Sequence, residues 1–397
     1  MRTNTESRRF GLRWVALVIV AVGAVIVLAV SLDQIWTGPS VPVGSGRPVG
    51  SSSLGPSPSR VTPTVTLSQI RGFGTFGVSG IWVLGGDQVV ASDDMGRTWT
   101  LIKLDGPGTP AVGQVWSAKR LVLVALDPWP ADSSVETTVT VSQTEDGGAS
   151  WRNTVLGQET GLRPFVAADN SGHVGLLLGR QRHVVAPSQV FSSLDWGRSW
   201  SAASLVQDPS LVGPIEVAGL TMLAVAADPR EVPPQASLLA QSTDEGRTWS
   251  LVALPVPAGF RLQDRGELSE PAVTPAGHWR VAVPYANDAQ AALVIVDETA
   301  TGWQPTGFLD VPVPDPASVS VGGGVVAVAS GGRLNLSADG GRSWSRRDVP
   351  GPGQPDGIRF ASPVNGSILM RDPDGAVRLF ATDDGGTTWR LVVRGLR

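Results

Sequence analysis

From residue 92 onward one octad returns through the chain: Ser or Thr, any residue, Asp, any residue, Gly, any residue, Ser or Thr, Trp. It reads Ser92-Asp93-Asp94-Met95-Gly96-Arg97-Thr98-Trp99 in the first copy and recurs at 144–151, 193–200, 242–249, 337–344 and 382–389. The gap between the fourth and fifth copies is close to double the others and holds Val296-Asp297-Glu298-Thr299-Ala300-Thr301-Gly302-Trp303, with Glu298 at the acidic position and Trp303 at the end. Counted as an altered seventh copy, it sets the acidic positions at 94, 146, 195, 244, 298, 339 and 384, separated by 52, 49, 49, 54, 41 and 45 residues. A repeat this long is one supersecondary unit per copy, and such units bury their apolar faces on one another.

Each octad lies between short apolar or alternating runs, such as Gln88-Val89-Val90-Ala91 before it and Thr100-Leu101-Ile102 after it, the pattern of a hairpin. Two further runs precede each hairpin, as in Thr221-Met222-Leu223-Ala224-Val225-Ala226-Ala227. Four strands per repeat make a propeller blade, so the sequence predicts an all-β, seven-bladed propeller over residues 66–397. The 48 Gly and 31 Pro suit many short strands and turns. The chain is expected to end on the outermost strand of the last blade. Blade five is expected to be irregular, because Ala300 stands where the central Gly should supply φ > 0.

The octad resembles the Asp-box, or bacterial neuraminidase repeat, and the resemblance covers the whole of 66–397. Its chemistry accounts for its spacing: the carboxylate accepts turn amides, Gly provides the backbone freedom, and Trp inserts between neighbouring sheets. Asp94, Asp146, Asp195, Asp244, Asp339 and Asp384 are therefore structural, since a catalytic acid is needed once rather than six times. Sialidases of this kind require an arginine triad, a Tyr nucleophile paired with Glu, and an early aromatic-Arg-Ile-Pro motif. Here the nearest sequence is Gln69-Ile70-Arg71-Gly72, and the single Tyr, Tyr285, lies upstream of two complete repeats. The resemblance further implies a ligand face opposite the octads, around the central channel.

Residues 14–32 form a 19-residue stretch without charge, long enough to cross a bilayer at about 1.5 Å per residue. Arg2, Arg8, Arg9 and Arg13 precede it and Asp33 follows it, so positive-inside logic predicts a cytoplasmic segment 1–13, a transmembrane helix 14–32 and an extracytoplasmic remainder. The competing reading is a cleaved signal peptide ending near Ala29-Val30-Ser31. Residues 33–65 read as a linker; in 38–64, 18 of 27 residues are Gly, Pro or Ser. The chain is thus expected in the cell membrane, single-pass, with a monomeric propeller outside.

With no Cys and only three His, no metal site and no cofactor is expected. A net charge of −4 gives no reason to expect nucleic acid. Candidate ligand residues come from loops of blades three to five: Arg180, Arg182, Arg230, Arg261, Arg265, Glu267 and Tyr285. Guanidinium groups gathered there would favour carboxylates or phosphates. Trp129 and Trp196 are read as blade-packing residues. The expected function is a non-catalytic binding or scaffold module for a protein or cell-envelope polymer. The alternative is a glycoside hydrolase pairing Glu267 or Glu270 with Asp228 or Asp372.

Overall fold

A computed structural model describes residues 64–105, 108–129, 135–180, 188–206, 210–227, 238–263, 267–287, 290–311 and 318–395. The expectations for 1–13, 14–32 and most of the linker fall outside them. Among the described residues the chain forms seven sheets, each an antiparallel meander running outward from an inner strand. The protein is an all-β, seven-bladed propeller. Its inner strands are Gly72–Phe76, Thr109–Val115, Leu162–Ala168, Ser210–Ala218, the pair Arg261–Leu262 and Ala272–Val273, Val319–Ser320, and Gln354–Phe360.

The second strand of each blade is an almost unbroken apolar run, as in Gly80–Leu84 and Thr221–Ala227, because neighbouring blades cover both of its faces. The outer strands, Thr100–Lys103 and Ser345–Asp348 among them, are mostly exposed and polar. A separate hydrophobic cluster fills each of the seven interfaces between adjacent blades. The one that closes the ring joins Ile81, Val83 and Met95 of blade one to Leu379 and Val392 of blade seven. Every octad Trp packs, half-buried, into the interface with the preceding blade. Trp99 meets the blade-seven cluster, Trp200 the cluster between blades two and three, and even Trp303 of the altered copy the cluster between blades four and five.

Two expectations are corrected here. The last strand, Arg390–Gly395, is not outermost: Val65–Leu67 pairs parallel with it, Val65 opposite Val393 and Leu67 opposite Gly395. An uncovered edge would leave backbone groups unpaired, and the start of the chain covers it, with Leu67 wholly buried. In blade five the inner strand is interrupted, and both short pieces pair with Trp279–Ala286. The altered octad there is a tight hairpin instead, with Thr299 opposite Gly302, which takes φ of 103°.

Candidate functional site

The octads come first, because they fix which end of the channel is which. In the first copy Asp94 Oδ1 accepts from the Ser92 hydroxyl at 2.8 Å, the Arg97 N–H at 2.9 Å and the Thr98 N–H at 2.8 Å, while Oδ2 accepts from the Thr98 hydroxyl at 2.8 Å. The Ser92 hydroxyl oxygen accepts in turn from the Gly96 N–H. The same core set recurs around Asp146, Asp195, Asp244, Asp339 and Asp384. These donors stabilise the ionised form. The Ser150 hydroxyl and N–H hold Asp146 down at about 2, as the Thr248 N–H and hydroxyl do for Asp244 and the Thr388 hydroxyl and N–H for Asp384. Burial acts against the shift at Asp94 and Asp195, but the hydrogen bonds prevail and both lie low. Carboxylates so occupied are turn clamps.

The residue after each Asp also takes positive φ. Met95, Trp196 and Glu245 do so at 56°, 66° and 63°, where the other full copies carry Gly. Its N–H reaches the turn after the inner strand of the same blade: Met95 to Ser79 O, Trp196 to Gly172 O, Glu245 to Leu220 O. The inner strands therefore finish on the octad face.

At that face the channel widens into a cavity of about 710 Å³, walled by the ends of the inner strands through Gly77, Trp116, Asn170, Ala218, Gly323 and Ala361. Five charged residues of five blades line it together: Arg71, Asp169, Glu216, Glu270 and Arg359. Arg71 donates to Gln69 Oε1 and to Pro110 O, both at 3.1 Å. Asp169 accepts from Ser171, from His173 and, at 2.8 Å, from the Gly219 N–H of the next blade, which makes it a clasp. Glu270 accepts from Arg359 Nη2 at 2.5 Å, and the same guanidinium gives Nη1 to Ile358 O at 2.9 Å. Among the described residues Glu216 has no such ion pair. It keeps some surface on the cavity yet is ringed by protein, and loss of hydration, reinforced by the charge of Glu270, pushes its carboxyl up to about 8. It is protonated at neutral pH.

Beside the mouth Trp116 and Trp196 meet edge to face, centroids 5.2 Å apart and planes at 78°. The Trp116 indole N–H donates to Asp169 O, and the Arg120 guanidinium lies 4.3 Å above the Trp196 ring. Trp196 of blade three thus rests on Trp116 and Arg120 of blade two, in keeping with the expected blade packing, and Trp129 of blade two, 39% exposed, lies 6.0 Å from the Arg71 guanidinium of blade one.

The sequence-named site residues are not brought together among the described residues. Tyr285 is corrected to a core residue: it is 1% exposed, and its hydroxyl donates to Pro255 O at 2.7 Å. Arg261 is exposed at the start of a short strand, Glu267 follows in the loop, and neither lines the cavity. Arg180 ends strand Val174–Arg180; Arg182, Arg230 and Arg265 lie outside the described residues, as does Asp228. Asp372 pairs with Arg378 away from the cavity. Sequence reasoning missed Glu216, although it is a lone charge in the alternating run Ser210–Ala218, where Leu211, Ile215 and Val217 are buried and Glu216 lies between them. It also missed Arg359, which a short run such as Gln354–Phe360 does not mark.

No known family's sequence profile matches this chain, and no curated protein sequence matches it. Solved structures do. YCF48 bound to a D1 peptide aligns with a TM-score of 0.50 at 20% identity, over 81% of this chain and 95% of that one. YCF48 from Cyanidioschyzon merolae aligns at 0.37 and 13%, over 83% and 86%. The extracellular domain of the hybrid two component system BT4673 from B. thetaiotaomicron aligns at 0.45 and 11%, over 83% and 39%. The first of these supports the propeller fold; at such identity the likeness extends no further than the fold.

Proposed function

We propose that this chain is an Asp-box propeller held at the extracytoplasmic side of the membrane by residues 14–32, through the linker 33–65, and that it acts as a non-catalytic binding module for a protein or cell-envelope ligand. The observation that carries the reading is the channel cavity, framed by all seven blades on a scaffold whose six recurring aspartates are occupied by their own turns. Preformed concave sites of this size are where ligands bind. YCF48 carries a peptide in its structure, and a peptide ligand is in keeping with the shared fold. The apolar stretch, its flanking arginines and the Gly/Pro/Ser-rich linker support a single-pass anchor with a monomeric propeller outside. Arg180, Arg182, Arg230, Arg261 and Arg265 stay proposed as contacts for an acidic partner at the opposite mouth.

The test has two arms. In intact spheroplasts, external protease should digest the propeller while a tag before residue 14 survives. Capture of an envelope component by the full chain should be lost in Trp196→Ala or Glu216→Gln and kept in Glu245→Gly. A protected propeller, or capture indifferent to the cavity, overturns the reading.

One observation favours a second reading, a glycoside hydrolase. Glu216 is protonated at neutral pH beside the Arg359-paired Glu270, which is the acid and carboxylate combination such enzymes use. Turnover of chromogenic glycosides that disappears in Glu216→Gln would establish it.

A further inference from the structure

The channel mouth on the octad face has apolar side chains at its rim and, within, three carboxyls (Asp169, Glu216 and Glu270) against two guanidinium groups (Arg71 and Arg359). The turns that follow the inner strands around it expose Val78 at 70%, Leu220 at 50% and Val364 at 50%. Val78, Leu220 and Val364 follow within three residues of the cavity-lining Gly77, Ala218 and Ala361. Trp196 continues this rim onto the cavity-lining Trp116. Exposed aliphatic and aromatic groups gathered around a concavity mark a contact surface. Inside, Arg359 is taken by Glu270 and by Ile358 O, and Asp169 by Ser171, His173 and Gly219. Arg71 donates to Gln69 Oε1 and Pro110 O, and among the described residues Glu216 is the cavity carboxyl with neither an ion pair nor a clasp of this kind.

We propose that this mouth receives a peptide segment of a protein partner, whose lysine or arginine side chain enters the channel to pair with Glu216 while its apolar neighbours lie on Leu220, Val364 and the Trp116–Trp196 pair. The inference rests on the binding-module reading and names the partner's chemistry. Three carboxyls against two guanidinium groups leave one carboxyl in excess, and with an apolar rim that is complementary to a basic side chain flanked by apolar ones. Burial first, then the charges of Glu270 from blade five and Asp169 from blade three, raise Glu216 against the Val217 N–H and the Arg359 guanidinium from blade seven, and leave it protonated when no guest cation has entered beside Arg71 and Arg359. Binding then runs as an exchange: the Glu216 carboxyl gives its proton to solvent, and the resulting carboxylate pairs with the entering ammonium or guanidinium.

The experiment uses the purified full chain and four heptapeptide libraries whose central residue is Lys, Arg, Glu or norleucine, with randomised flanks. The Lys and Arg libraries should be retained about tenfold or more above the other two, and Glu216→Gln should remove that excess with its thermal melt intact. Release of one proton makes affinity for the Lys library rise about tenfold between pH 6 and pH 7. Equal retention of the norleucine library, an excess that survives Glu216→Gln, or affinity indifferent to pH would overturn the proposal. Retention of norleucine or Glu peptides that is lost in Trp196→Ala would overturn the cationic ligand while leaving the binding module in place. Retention of no library overturns this proposal, whereas glycoside turnover overturns the module itself.

Discussion

Arg359, on the inner strand of blade seven, donates to Glu270 of blade five at 2.5 Å, so one ion pair reaches past blade six along the channel wall. The two side chains are 31% and 36% exposed, and Arg359 also lies 5.9 Å from the Phe73 ring of blade one. Replacing Arg359 with Met should cost about 1 kcal/mol in urea unfolding at pH 7, because partial exposure screens the pair. The same change removes the cation that lowers Glu216, so the Glu216 titration should move further up.

Glu216 gives stability a distinctive pH dependence. Its ordinary value is 4.5 and its folded value about 8, so between them the folded state holds more protons than the unfolded one. Its contribution is therefore complete below about 4.5, falls as pH rises toward 8 and is level above. Urea midpoints measured from pH 5 to 9 should show this decline, and Glu216→Gln should flatten it.

The octad aspartates act with the opposite sign. Their folded values lie below the usual carboxylate range, so their contribution is present above about pH 4 and is lost as pH falls toward 2. Asp244→Ala should cost about 1 to 3 kcal/mol by leaving turn donors unpaired and should soften the acid limb of the unfolding curve. Trp249→Ala, whose ring is half-buried, should cost about 2 to 3 kcal/mol, less than a fully buried ring would.

Positive φ at non-glycine octad positions offers a stabilising change. Glu245 sits at 63°, half-buried and paired only with the exposed Arg247 among the described residues, and left-handed backbone costs an L-residue about 1 to 2 kcal/mol against about 0.5 to 1 kcal/mol for the added freedom of Gly. Glu245→Gly should therefore raise the melting temperature slightly. Met95→Gly should lower it, because Met95 is 1% exposed within the cluster that closes the ring.

Removing residues 1–67 takes away the strand that covers Arg390–Gly395 and empties the Leu67 position of the closing cluster. The shortened propeller should unfold at lower urea and self-associate through the bared edge, which sedimentation would detect.

The octads made the ring legible before any coordinates. Trp151, Trp200 and Trp389 recur at one register position, and a turn clamp built from Ser or Thr, Asp and Gly is local, so each copy announces a hairpin. Even the altered copy at 296–303 kept its Trp in the right interface. Tyr285 went the other way: a polar aromatic reads as available in sequence, yet strand alternation turned it into the core between blades four and five.

The structural duty of the aspartates follows from residues within eight positions of one another, and the seven sheets and their four strands from one octad and its apolar runs recurring every 41 to 54 residues, which is why sequence alone determines them. The ring closure by Val65–Leu67, the Asp169 clasp on Gly219 and the meeting of Glu216, Glu270 and Arg359 join residues 50 to more than 300 positions apart. No local pattern encodes such pairs. Closing the ring gathers the ends of the inner strands around one axis, and only that geometry removes Glu216 from bulk water and sets its charge.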